Sequence, residues 1–198
     1  PLGTYLQVAH LAPFAEDASA TVKLNGADAL PDVGYGDSTA YIALEQGEYL
    51  VEIVPAGSST VAISATVDLA QATYYSAIAV GDGTNQDLNF IALEDDLSAP
   101  TPGFAKVRLG HLAPFAAGTA TADIRLQDGS PVLTDVVFGT VTPGYVELPA
   151  AEYDLKITTP GGDTTLIDPL PTTFADGQIL SAFATGDGAK QDLGVFAL

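Results

Sequence analysis

The chain repeats itself, and no other feature restricts its possible folds as strongly. Residues 9–15, Ala-His-Leu-Ala-Pro-Phe-Ala, return at 110–116 as Gly-His-Leu-Ala-Pro-Phe-Ala, with six of seven positions identical. Residues 81–93 return at 186–198 with eight of thirteen identical, including Gly-Asp-Gly at the start and Gln-Asp-Leu in the middle. The first pair is offset by 101 residues and the second by 105. Each copy is therefore expected to be one domain, 1–97 and 103–198, with 98–102 as the linker. The joint, Glu94-Asp95-Asp96-Leu97-Ser98-Ala99-Pro100-Thr101-Pro102-Gly103, is acidic and then Pro-rich, and it lacks any apolar period.

Within each copy the hydrophobic period is two. Tyr49, Val51 and Ile53 alternate with Leu50, Glu52 and Val54, and Tyr153, Leu155 and Ile157 alternate with Asp154 and Lys156. Turn formers separate the runs at Asn25-Gly26, Gly57-Ser58, Asp128-Gly129, Gly161-Gly162 and Asp176-Gly177. No stretch has helical periodicity. Seven or eight short strands per copy predict an all-β chain of two tandem immunoglobulin-like antiparallel β-sandwiches. Leu50, Val54, Tyr5, Ala9 and Ile42 fall on the expected outer faces.

The strands and turns also carry a family pattern. The first copy has His10-Leu11-Ala12-Pro13, the hairpin Leu24-Asn25-Gly26, the run Ala43-Leu44-Glu45-Gln46-Gly47-Glu48-Tyr49, and Tyr74-Tyr75-Ser76-Ala77-Ile78-Ala79-Val80-Gly81. The second has His111-Leu112-Ala113-Pro114, Leu148-Pro149-Ala150-Ala151-Glu152-Tyr153 and Ala184-Thr185-Gly186. In these residues the chain resembles the bacterial domain of unknown function 4397 family, and the resemblance spans nearly its whole length. It departs where the family often has Ser and Asp: here stand Ala12 and Phe14, and Ala113 and Phe115. The resemblance implies an exported, surface-associated β protein and supplies no activity.

Charge narrows the function classes. Six Lys and Arg face 25 Asp and Glu, a net charge of −19. Phosphate backbones and anionic membrane surfaces would repel such a chain, so neither is an expected partner. No apolar run is long enough for a membrane span. The absence of Cys removes thiolate nucleophiles and Cys-ligated zinc. Pro1-Leu2-Gly3 has neither a charged nor an apolar leader region, so the sequence is expected to be a mature or trimmed chain.

Two polar features repeat and invite a functional reading. His10 and His111 are the only histidines, each in phase with the apolar face of its strand. A general base or a metal ligand is one reading. A core-edge imidazole bonded to backbone is favoured, because an active site rarely needs duplicating. The run Asp82-Gly83-Thr84-Asn85-Gln86-Asp87, repeated as Asp187-Gly188-Ala189-Lys190-Gln191-Asp192, offers Asp82/Asp87 and Asp187/Asp192 as oxygen ligands for Ca²⁺. A tight Asp-Gly hairpin turn is favoured, since Lys190 would weaken a cation site. There is no nucleophile elbow, P-loop or dinucleotide fingerprint. No catalytic residue, cofactor or metal ligand is therefore assigned.

Low charge density shapes the expected function. Charged residues are 16% of the chain, below the roughly 25% usual for soluble domains. The segments Leu2–Ala9 and Leu193–Leu198 carry no charge at all, and unguarded strands invite pairing. The expected function is a non-catalytic extracellular structural or interaction protein, a self-assembling subunit of a surface layer or filament whose main partner is itself. The alternative is an adhesin or carbohydrate-binding module, Ca²⁺-dependent or not, stacking a cell-surface glycan on Tyr35, Tyr41, Tyr74, Tyr75 or Tyr145.

Overall fold

The structure is a computed structural model that describes residues 3–14 and 19–198. The chain is all-β and divides into two compact units, Pro1–Asp96 and Leu97–Leu198.

The first unit holds β1 (Thr4–His10), β2 (Ala20–Leu24), β3 (Ala27–Val33), β4 (Ile42–Leu44), β5 (Gly47–Pro55), β6 (Ile63–Leu69), β7 (Tyr74–Val80) and β8 (Asn89–Asp95). They form two four-stranded sheets, ordered β4-β1-β7-β8 and β3-β2-β5-β6. The period-two pattern explains the layering. On β5, Val51 and Ile53 are fully buried while Leu50 is exposed. Leu6 and Val8 of β1, Val22 of β2, Val67 and Leu69 of β6 and Phe90 of β8 join Val51 and Ile53 in one core cluster. Asn25-Gly26 makes the two-residue β2–β3 turn, with φ of 52° and 79°, the positive pair that a primed hairpin turn requires.

The second unit repeats that order with interruptions. Its strands are β9 (Phe104–His111), β10 (Ala122–Leu126), β11 (Pro131–Val136), β12 (Thr140–Val141), β13 (Val146–Pro149), β14 (Ala151–Tyr153), β15 (Leu155–Thr158), β16 (Thr165–Ile167), β17 (Thr172–Phe174), β18 (Ile179–Thr185) and β19 (Gly194–Ala197). One sheet runs β12-β9-β18-β19, with β13 also on β9, and the other runs β11-β10-β15-β16. A separate ribbon pairs β14 with β17. The apolar interior is correspondingly split. Ile124, Ile157 and Ile167 gather in one cluster, and Ala105, Val107 and Phe174 in another.

Three expectations change. The sheets are mixed rather than wholly antiparallel, because β1 pairs β7 in parallel and β9 pairs β18 in parallel. The opening segment is not a free edge: from Thr4 onward it is an inside strand between β4 and β7, which satisfies both of its sides. Pro1 and Leu2, also part of that expected edge, lie outside the described residues. Val54 and Ala9, assigned to outer faces, are buried; Ala9 is small and sits against the bridge to Ser38.

Candidate functional site

The two histidines end equivalent strands and do equivalent work. His10 and His111 are 0% and 2% exposed. Each Nδ1 accepts the N–H two residues on, from Ala12 and from Ala113, both at 3.4 Å. Each ring stacks on the Phe of its own motif, Phe14 at 5.1 Å and Phe115 at 5.4 Å between centroids. Tyr35 and Phe138 meet the two rings edge-on. His111 Nε2 donates to the Ala120 carbonyl at 2.5 Å, since Nδ1 is already an acceptor. This is the backbone-bonded imidazole, with the Phe of each motif stacked on its ring.

Burial holds the His111 imidazole below its usual value, against the opposing pull of the Ala120 hydrogen bond. The neutral ring is thus the folded form. Its contribution to stability is intact above about pH 6.5 and is lost as pH falls, because the unfolded chain takes up the proton first. We expect His111→Gln to cost about 1–3 kcal/mol at pH 7.5. The gap from the native chain in urea unfolding should narrow toward pH 5. A gap that does not change with pH would count against the neutral-ring assignment.

The acidic loops resolve into turns as well, though longer ones than a tight Asp-Gly hairpin. Residues 81–88 join β7 to β8, and Asp82, 3% exposed, turns back under its own loop. Asp82 Oδ1 accepts the N–H groups of Thr84, Asn85 and Gln86 at 3.0, 2.8 and 2.9 Å. Asp187 Oδ1 does the same for Ala189, Lys190 and Gln191 at 3.0, 2.8 and 3.0 Å. Burial pushes both carboxyls up, and these hydrogen bonds together outweigh it and hold them below the usual carboxylate range. An oxygen facing three N–H dipoles is poorly placed to ligate a cation. Asp87 and Asp192 are exposed. Among the described residues no cluster of three acids or histidines is arranged to hold a metal.

The tyrosines named as sugar platforms are all half-buried. Tyr5 and Tyr74 stack at 4.7 Å with 12° between planes, and Tyr41 meets Tyr74 edge-on. Tyr41 Oη and Ser76 Oγ donate to Asp95 Oδ2 at 2.9 and 2.6 Å. In the second unit Tyr145 lies under the buried Arg108 guanidinium, 4.5 Å from its centroid, and Arg108 Nε donates to Ser181 Oγ.

One sheet edge with an open bonding capacity is β19. Leu198 and Ser181 exchange both backbone hydrogen bonds, at 2.9 and 3.0 Å. By antiparallel alternation, Phe196 and Gly194 also face β18, so Val195 and Ala197 turn their N–H and C=O to the outside. No other strand among the described residues pairs with that side. Most of the other edges are guarded or short, although the three-residue β17 of the ribbon, Thr172–Phe174, also lacks charge and Pro. β3 carries Asp28, Pro31 and Asp32, β11 carries Pro131 and Asp135, β6 carries Asp68, and β8 ends in Glu94-Asp95. β16 runs into Asp168-Pro169. β4 and β12 are only three and two residues long. β19 has neither charge nor Pro, and Val195 is 44% exposed. The sequence signal was its uncharged stretch, which the expected edge at Leu193–Leu198 already contained.

Residues 4–120 match the domain of unknown function DUF4397, from β1 through the His111 turn. The chain belongs to this family. No curated protein matches it in sequence. Among solved structures it is similar to one described under alpha-glucan binding by a streptococcal virulence factor. That match has 13% identity over 98% of this chain and 96% of the other, with a TM-score of 0.30. A leucine-rich repeat protein from Bacteroides thetaiotaomicron matches at 11% identity over 94% of this chain and 26% of its own, with a TM-score of 0.21. Among the described residues no helix of this DUF4397 protein is long and apolar enough to cross a membrane.

Proposed function

We propose that this chain is a non-catalytic extracellular structural or interaction protein whose copies associate through the β19 edge. The unguarded edge carries the reading. Two outward N–H and C=O pairs, on a strand without charge or Pro, are a template for one more strand. The export and surface location draw on the family resemblance. The non-catalytic reading draws on the repeated polar groups, whose hydrogen bonds go to their own backbone.

Light scattering of the full chain tests the association. Its mass should rise with concentration, and more steeply at high salt, which screens the net charge of −19. Val195→Lys, on an exposed side chain, should restore the monomer without changing the far-ultraviolet dichroism. A native chain that stays monomeric at high concentration and high salt overturns the proposal. The rival reading, a glycan-binding adhesin, draws on the stacked Tyr5–Tyr74 pair. Retention of a neutral glycan by a monomeric chain would favour it.

A further inference from the structure

The second unit contains an apolar cavity of about 530 Å³ between β18–β19 and the opposite layer. The first unit explains why it exists. There β5 and β6 pair without a break from Gly47↔Leu69 to Ile53↔Ile63. Phe90, opposite Ala79 on β7, packs into the core. In the second unit the residue opposite Ala184 at the equivalent place is Val195, much smaller than Phe. The ladder facing it is also broken. Pairing stops at Ile157↔Ile167 and resumes at Tyr153↔Thr172, with Asp168-Pro169-Leu170-Pro171 between. The two prolines have no N–H to offer a ladder, so the strand detours and the layer opens. Leu170, which lines the cavity, is 87% exposed.

The lining fixes the chemistry of an occupant. Leu180, Phe174 and Ile157 form apolar walls, and no acid, Lys, Arg or His lines the space. Its three polar side chains have internal partners. Tyr153 Oη donates to the Pro149 carbonyl, Thr172 Oγ1 donates to the Leu170 carbonyl, and Gln178 Oε1 accepts the Ala175 N–H. Water has few partners in such a space, so burying hydrocarbon there is favourable. A carboxylate would find no cation in the lining to meet it, and its own unit carries 11 Asp and Glu against five Lys and Arg. We propose that this cavity binds an uncharged, mostly hydrocarbon small molecule carrying at most one or two hydrogen-bonding atoms.

The full chain can be titrated with N-phenyl-1-naphthylamine, a neutral fluorescent probe. Saturable enhancement at one site per chain is expected. Dodecanol should displace the probe, and dodecanoate at pH 8 should need about tenfold more or worse. Val195→Phe, which restores the residue type of the first unit, should weaken probe binding about tenfold or more without lowering the unfolding temperature. Leu170→Asp lies on an exposed side chain, so it tests the cavity even if the Phe variant misfolds, and it should weaken binding several-fold. Absence of saturable binding, equal competition by dodecanoate, or unchanged binding in a folded Val195→Phe or Leu170→Asp chain overturns the proposal. If the probe never binds but Val195→Phe changes the mass in light scattering, the cavity serves contact between copies instead. Association and probe binding are read separately, so either proposal fails without the other.

Discussion

Gly186→Ala is expected to unfold the second unit at a much lower temperature while leaving the first nearly untouched, and Gly81→Ala to do the reverse. Both glycines have positive φ, 88° at Gly81 and 90° at Gly186. A Cβ at Gly81 would collide with the Asp87 carbonyl, and one at Gly186 with the Asp192 carbonyl. Leu88 Cα and Leu193 Cα lie at 3.1 and 2.9 Å from those Cβ positions. The loop cannot retreat, since Asp82 and Asp187 bind three N–H groups each beneath it. A left-handed backbone costs about 1–2 kcal/mol for a residue with a Cβ, and forced overpacking about 1–3 more. The sum is about 2–5 kcal/mol, or a fall of roughly 10–25 °C in the transition of a unit of this size. Gly129→Ala separates the two causes. Gly129 also has positive φ, 91°, but nothing lies within 4 Å of its Cβ position. It should cost only the backbone share. If Gly186→Ala costs no more than Gly129→Ala in calorimetry, the collision is not real.

The same loop marks how far the sequence could be read. Asp82-Gly83 resembles a hairpin turn because Asp-Gly is the commonest local signal for one. The actual loop is longer because Asp82 spends its side chain on three successive N–H groups, a choice visible only in three dimensions. The strands themselves were legible. Val51 and Ile53 point inward as their spacing requires, and Asn25-Gly26 turns where expected. The parallel pairings were not, because Gln7 meets Ser76 across a separation of 69 residues that holds β2 to β6, and period two carries no information about direction. Pro169 and Pro171 could have flagged the broken layer, since they stand where the first copy has the unbroken strand Ile63–Leu69. The significance of Val195 needed the register that sets it opposite Ala184 and equates it with Phe90.

Asp123→Ala should be the most damaging side-chain change in the second unit. Asp123 is 1% exposed on β10 and ties three separate segments together. Its Oδ1 accepts the Asp135 N–H at 2.8 Å, where β11 is bulged and Asp135 has a φ of 54°. Its Oδ2 accepts the Gly161 N–H at 3.0 Å and the Arg125 guanidinium at 2.6 and 3.2 Å. Truncation leaves two N–H groups and a largely covered cation without their acceptor. Breaking a buried pair from one side costs about 3–5 kcal/mol, and the 15% exposure of Arg125 places this one toward the lower end. Asp123→Asn should lose nearly as much, because its NH₂ group would face donors. The pH dependence identifies the charge as the cause. Burial raises the Asp123 carboxyl, but the Asp135 and Gly161 hydrogen bonds and Arg125 outweigh it and hold the group below its ordinary 3.8. The folded chain therefore releases this proton more readily than the unfolded one. The stabilisation is complete above pH 3.8 and disappears as pH falls through the lowered value. The difference between native and Asp123→Asn unfolding free energies should be full at pH 6 and shrink as pH falls below 3.8. A difference that stays constant across that range would mean that Asp123 acts through shape alone and that its charge is incidental to holding β10, β11 and the Pro160–Gly162 turn together.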